Sequence, residues 1–172
     1  MVVWQSWGHV VFASMLALPV LTLAVFALAR WRAWRGTAPG TALRRSLSEV
    51  GATAGTLPWL WMVLTPTSGA RGVALVPLQD LVALLDARVA TVVVQVGGNL
   101  LVLAAFGAFV PVRFAALARL HRVAAASAGV SATIELLQYA LHLGRVSSVD
   151  DVLMNTAGAT IAALLTRRWW AK

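Results

Sequence analysis

Apolar and polar positions alternate along this chain on the scale of whole helices. Five apolar stretches run from about Trp7 to Ala29, Ser46 to Thr65, Val89 to Val112, Val123 to Leu143 and Asp151 to Leu165. A bilayer core about 30 Å thick takes roughly 20 apolar residues per helix. The last stretch is short and reaches that length only with Trp169 and Trp170 at the interface. Pro19 predicts a kink in the first stretch, and Pro58 lies between apolar neighbours in the second. The pattern predicts an all-α integral membrane protein: a single membrane domain over residues 1–172 with about five transmembrane helices.

Composition says why the solvent is lipid. The chain is 60% hydrophobic and 12% charged over 172 residues, with a mean hydropathy of +0.81. A soluble core of this size cannot hide so much apolar surface. The N-terminal MVVWQSWGHVVF lacks a basic lead-in and a small-residue cleavage site, so it reads as a retained first span. The absence of cysteine excludes disulfides, thiolate metal sites and cysteine nucleophiles.

Charge then orients the spans. The formal net charge of +8 would point a soluble chain towards nucleic acid. Here the cations fall between apolar runs, so no nucleic-acid partner is expected. The first loop carries Arg30, Arg32, Arg35, Arg44 and Arg45; the third carries Arg113, Arg119 and Arg122; the tail carries Arg167, Arg168 and Lys172. The other two loops hold only Arg71, Arg88 and Arg145, offset by Asp80, Asp86, Asp150 and Asp151. Eleven cations on one side against three on the other predict a multi-pass plasma-membrane protein with its N-terminus outside and its C-terminus cytoplasmic. Trp4, Trp7, Trp31, Trp34, Trp169 and Trp170 all fall at span ends, as interfacial anchors do. Glu49 follows Arg45 by four residues, the spacing of a snorkelling ion pair.

The second loop contains PLQDLVALLDAR, which puts Leu78, Leu81, Val82 and Leu85 on one helical face and Pro77 in a first turn. This predicts a short interfacial or re-entrant helix, either a lid or plain surface packing.

Candidate chemistry lies in the outer part of the last three spans. Ser127, Ser131, Glu135, Gln138 and His142 follow one another by three or four residues and form one stripe. Asp151, Asn155 and Gly158 share a face of the fifth span, and Gln95 and Asn99 share one of the third. At a rise of about 1.5 Å per residue, Glu135 lies roughly 12 Å below the outer end of its span. A carboxyl group facing lipid costs several kcal/mol, so Glu135 is expected to face inward with a partner. The short hinge makes the fourth and fifth spans antiparallel neighbours, and Arg145 within it can reach Glu135, Asp150 or Asp151. Ser127, Ser131, Gly158 and Thr160 are also what close helix packing requires. Asn99, Gln138 and Asn155 serve equally as interhelical hydrogen-bond donors, and His142 as an interfacial edge residue. No metal-ligand spacing and no cofactor motif is present.

These residues resemble the VanZ-like family, membrane proteins named for a teicoplanin-resistance determinant. SATIELLQ is similar to its Ser-x-x-Ile-Glu-x-x-Gln segment, and GRVSSVDDVLMNTAGA to its Arg-then-Asp-Asp-x-x-x-Asn-Thr-x-Gly segment. NLLVLAAFGAFVP resembles the third-span motif through Asn99, Gly107 and Pro111, and VALVPL a loop segment ending in Pro-Phe, with Leu78 in place of Phe. The resemblance covers about Ala74 to Ala162. Ser148 stands where a further Asp is common, Ala105 where a Pro is frequent, and Leu103 where Phe is common. Membership implies a cell-envelope protein linked to glycopeptide susceptibility.

Three functions compete. In the first, an outward pocket of Asn99, Glu135, Gln138, Arg145, Asp150, Asp151 and Asn155 binds a lipid-linked cell-wall intermediate or a lipoglycopeptide. In the second, Glu135 or Asp151 acts as general base of a membrane hydrolase or transferase, although no serine–histidine–acid or phosphate-loop motif accompanies them. In the third, the polar residues only hold helices together. A proton-coupled transporter fits less well, because five spans show no inverted repeat.

Overall fold

A computed structural model describes residues 2–170 and the side chains of residues 8–170. The Trp4 and Trp7 side chains and Lys172 lie outside the described residues. Helix α1 spans Val2–Trp34 and continues through Pro19. Helix α2 spans Pro39–Leu64 and opens with proline, whose missing N–H costs nothing in a first turn. Strand β1 (Gly72–Ala74) and the short helix α3 (Gln79–Ala83), extended by a 3-10 turn at Leu84–Asp86, follow in the long loop. Helices α4 (Val89–Val102) and α5 (Ala104–Arg113) come next. Helix α6 (Leu120–Ala140), strand β2 (Val146–Ser148) and helix α7 (Val149–Leu165) complete the chain, with a 3-10 turn at Arg167–Trp169.

The five predicted apolar stretches therefore coincide with long helices, but the third is broken. Its break falls at Leu103, which is fully buried and leaves helical geometry without any proline. The bend coincides with two close approaches of α7. A Cβ on Gly107 would lie 2.0 Å from the Ala159 carbonyl oxygen, and one on Gly158 would lie 1.9 Å from that of Leu100. Only glycine lets these backbones touch.

Burial is inverted relative to a soluble protein. Ser46, Ser48, Ser127, Ser131, Glu135, Gln138, Asp150 and Asn155 are buried, whereas Phe12, Met15, Leu16, Leu23 and Phe26 of α1 are largely exposed. A water-soluble domain does not present such an apolar exterior. Two helical segments, Gly8–Trp34 and Val89–Arg113, are long and apolar enough to cross a bilayer. Helices α1 and α2 enclose an apolar groove of about 1620 Å³, lined among others by Leu18, Val25, Leu47, Leu57 and Trp61.

The loops sort to opposite ends. At the basic end, Glu49 binds Arg32 and Arg113, each at 2.5 Å. The expected Glu49–Arg45 pair is thus replaced by cations that α1 and α5 bring from either side. Arg44 donates to the Trp169 carbonyl, which ties the tail to α2. Trp31, Trp34 and Trp169 are exposed as interfacial anchors should be, but Trp170 folds inward against Val112, Val123 and Ala163.

At the other end, β1 and β2 pair in parallel, with Gly72, Val73 and Ala74 opposite Val146, Ser147 and Ser148. Thr67 N–H donates to the Leu143 carbonyl at 2.8 Å, and Thr67 Oγ1 to that of Gly144 at 2.7 Å. Gly144 has φ +67°, and a Cβ there would meet the Thr67 carbonyl oxygen at 2.0 Å. Arg71 stacks on Tyr139 at 4.8 Å, pinning the same loop to α6.

Candidate functional site

Four segments converge on this second end: the C-terminus of α2, the loop bearing α3, the end of α6 and the start of α7. Helix α2 arrives with two carbonyl groups that its own backbone cannot satisfy. Pro66 has no N–H for Met62, and the Thr67 N–H that would serve Val63 is given to Leu143. Side chains supply the missing donors. Arg145 Nη2 donates to the Met62 carbonyl at 3.0 Å, and Gln138 Nε2 to the Val63 carbonyl at 2.8 Å. Both candidate residues thus hold α2 in place. Gln138 is buried, while Arg145 keeps further donors.

Asp150 is the most deeply buried acid here, at 1% exposure. One oxygen accepts the Leu78 N–H; the other accepts those of Asp80 at 2.9 Å and Leu81 at 3.2 Å. Leu78 takes a left-handed φ of 66°, which turns its N–H towards the carboxylate. Asp150 therefore caps α3 from outside the helix. Pro77 precedes this cap instead of occupying a first helical turn, correcting the expectation for that segment. Leu78, Val82 and Leu85 are exposed, so the apolar side of α3 points away from the bundle.

Ser148 links the same parts. Its Oγ accepts the Asp150 N–H at 3.1 Å, capping α7, and donates to Asp80. Its N–H donates to Glu135 Oε2 at 2.9 Å, and Ser147 Oγ donates to the Glu135 carbonyl at 2.8 Å. Ser147 and Ser148 are not among the candidate site residues of the sequence, although Ser148 two residues before Asp-Asp has the form of an N-cap. Glu135 is buried as expected, with a backbone partner in the hinge.

Two further pairs cross between helices. Asn99 Nδ2 donates to Asp151 Oδ1 at 2.5 Å, and Asn155 Nδ2 donates to Ser131 Oγ at 2.8 Å. His142 leaves the stripe: α6 ends at Ala140, and His142 is exposed with φ 57°, its Nδ1 2.8 Å from the Ala140 carbonyl.

Arg145 stands among these groups without a direct ion pair. Burial lowers its proton affinity, and the charges of Asp151 and then Glu135 oppose that. Yet among the described residues only Glu49 forms ion pairs within 4.0 Å, so Arg145 clamps none of Glu135, Asp150 and Asp151. Its Nε is buried without a hydrogen-bond partner among the described residues, as is Asn155 Oδ1. Among the described residues, no three His or acidic side chains converge in a metal-binding group.

A mostly helical bundle with an apolar exterior, polar groups buried between its helices and charge sorted to its two ends has the architecture of a membrane protein. The model of the VanZ/LLP1 family matches residues 50–170, and the chain belongs to this VanZ-like family. No curated protein and no solved structure matches it. The match takes in every member of the polar cluster. It is consistent with a cell-envelope protein linked to glycopeptide resistance.

Proposed function

We propose that the chain crosses the plasma membrane five times, with the acid-bearing end outside, and that the polar cluster there binds the head of a lipid-linked cell-wall intermediate or a lipoglycopeptide. The observation that carries this reading is the incomplete bonding of Arg145. Anchored through one nitrogen on Met62, it lies near Glu135 and Asp151 but pairs with neither, and its Nε has no partner among the described residues. Glu135 Oε1 and Asp151 Oδ2 likewise accept no hydrogen bond among the described residues. Buried polar groups ordinarily find partners, so a cluster with spare donors and acceptors suits a ligand.

The charge balance narrows the chemistry. Two acids with uncommitted oxygens beside one guanidinium favour a head with amine, amide and hydroxyl groups over a bare pyrophosphate. Cell-wall peptides and glycopeptides both carry such groups. Asn99 and Asn155 add neutral contacts, and Asp150 holds α3 beside the cluster. The apolar groove between α1 and α2 flanks the same end of α2, at Trp61, Leu64, Thr65 and Pro66, and suits a hydrocarbon tail.

Native mass spectrometry of protein purified in mild detergent tests the reading. Wild type is expected to retain a polyprenyl-linked species or to bind added teicoplanin, and Asp151→Asn and Arg145→Lys to lose it at matched thermal stability. Equal occupancy in wild type and both folded variants refutes the site. Hydrolysis stands as a second reading, because Glu135 and Asp151 each keep one uncommitted oxygen. Release of product from a lipid-linked substrate, abolished by Glu135→Gln, would select it.

A further inference from the structure

The basic end of the bundle carries a cavity of about 420 Å³ that the outer cluster does not involve. Its walls include Arg119, Leu120, His121, Arg167, Arg168 and Trp170, contributed by the first turn of α6 and the tail beyond α7. Arg44 holds the carbonyls of Trp169 and Trp170, so the tail wall is tied to the bundle.

Three guanidinium groups, those of Arg119, Arg167 and Arg168, dominate the charge of this wall. Among the described residues, no carboxylate lines it. Some cations at this end are engaged, Arg32 and Arg113 with Glu49 and Arg122 with the Ala116 carbonyl. The guanidinium groups of Arg119, Arg167 and Arg168 make no hydrogen bond or ion pair among the described residues. Helix α6 starts without a side-chain cap, and the N–H groups of Arg122 and Val123 both turn to the Arg119 carbonyl. The Leu120 and His121 N–H groups therefore keep no intrahelical acceptor beside the cavity. Independently, Trp170 is only 9% exposed, and its Nε1 is buried with no partner among the described residues.

We propose that this cavity is a phosphate-binding site, taking either the phosphodiester of an anionic membrane lipid or a free phosphate ion. Guanidinium forks match the tetrahedral array of phosphate oxygens, and the start of a 21-residue helix adds backbone donors and a favourable dipole. The site is separate from the outer cluster, and neither claim depends on the other.

The test uses the full-length protein in non-ionic detergent. One arm titrates phosphatidylglycerol against diacylglycerol of the same chains, read by native mass spectrometry; the other titrates inorganic phosphate, read by calorimetry. The cavity pair Arg119→Gln with Arg168→Gln is compared with Arg30→Gln plus Arg45→Gln, which removes equal charge from the same end outside the cavity. The cavity pair is expected to weaken binding at least about tenfold, because charge-assisted bonds are lost. The control pair changes surface potential alone and is expected to weaken it by less than about threefold. Selective binding of phosphatidylglycerol supports the lipid source, and binding of inorganic phosphate the free ion. Equal losses in the two variants, or no preference for either phosphate over its control, overturns the site. If the glutamine pair does not fold, Arg119→Lys with Arg168→Lys keeps the charge and removes the fork. Weaker binding in that variant supports the site, and unchanged binding overturns it.

Discussion

Replacing Asp150 with alanine removes the single acceptor shared by the Leu78, Asp80 and Leu81 N–H groups. A hydrogen bond to a charged group contributes about 1.5–3 kcal/mol, and a donor stranded by truncation costs about 1–3 kcal/mol. The three donors sit at the N-cap and in the first turn of a five-residue helix at the end of the bundle, where water can replace part of the loss. About 1 kcal/mol for each donor is therefore the appropriate figure, or roughly 3 kcal/mol in all. That corresponds to opening of the 78–81 segment being favoured on the order of 100-fold. Hydrogen exchange in detergent is the direct assay, because it reads those amides separately from the rest of the chain. Leu78, Asp80 and Leu81 are expected to exchange faster by that factor, with the interior of α6 much less affected. Asp150→Asn keeps one acceptor oxygen and is expected to fall between wild type and alanine. Unchanged exchange at these three amides in a folded Asp150→Ala protein would refute the capping role.

Gly158→Ala forces a methyl group against the Leu100 carbonyl and is expected to cost at least about 2 kcal/mol in thermal unfolding, as overpacking does. Gly129→Ala in α6 meets nothing within 4 Å and is expected to be neutral or to stabilise by up to about 1 kcal/mol. Equal effects at the two glycines would refute the close approach of α7. Gln138→Leu strands the Val63 carbonyl and is expected to cost about 1–2 kcal/mol, measured by the same melts. Because the chain has no cysteine, single-cysteine labelling reads topology cleanly. A membrane-impermeant maleimide is expected to reach Val82→Cys in intact cells and Trp34→Cys only after permeabilisation; the reverse order would invert the proposed orientation.

The positions of the long helices follow from the chain alone. Hydropathy is a property of each residue separately, and summed over about twenty positions it outweighs every local exception. The inward stripe of Ser127, Ser131, Glu135 and Gln138 was legible for a related reason: helical periodicity fixes which residues share a face, and lipid excludes that face from the outside. The same argument stopped short at His142, because it cannot say where α6 ends.

The partner of each polar group was decided only by the tertiary structure. Asn99 meets Asp151 across 52 residues of sequence, and Gln138 meets the Val63 carbonyl across 75. Such meetings depend on the relative depth and rotation of two helices, which no single helix encodes. Asp150 and Asp151 are adjacent acids that look equivalent in sequence. Successive positions on a helix point about 100° apart, so one turns to the backbone of α3 and the other to Asn99. The three-residue pairing of β1 with β2 is too short to leave a periodic trace. The bend at Leu103 belongs to the same class: it coincides with α7 pressing Gly158 against Leu100, a contact made by residues more than fifty positions away.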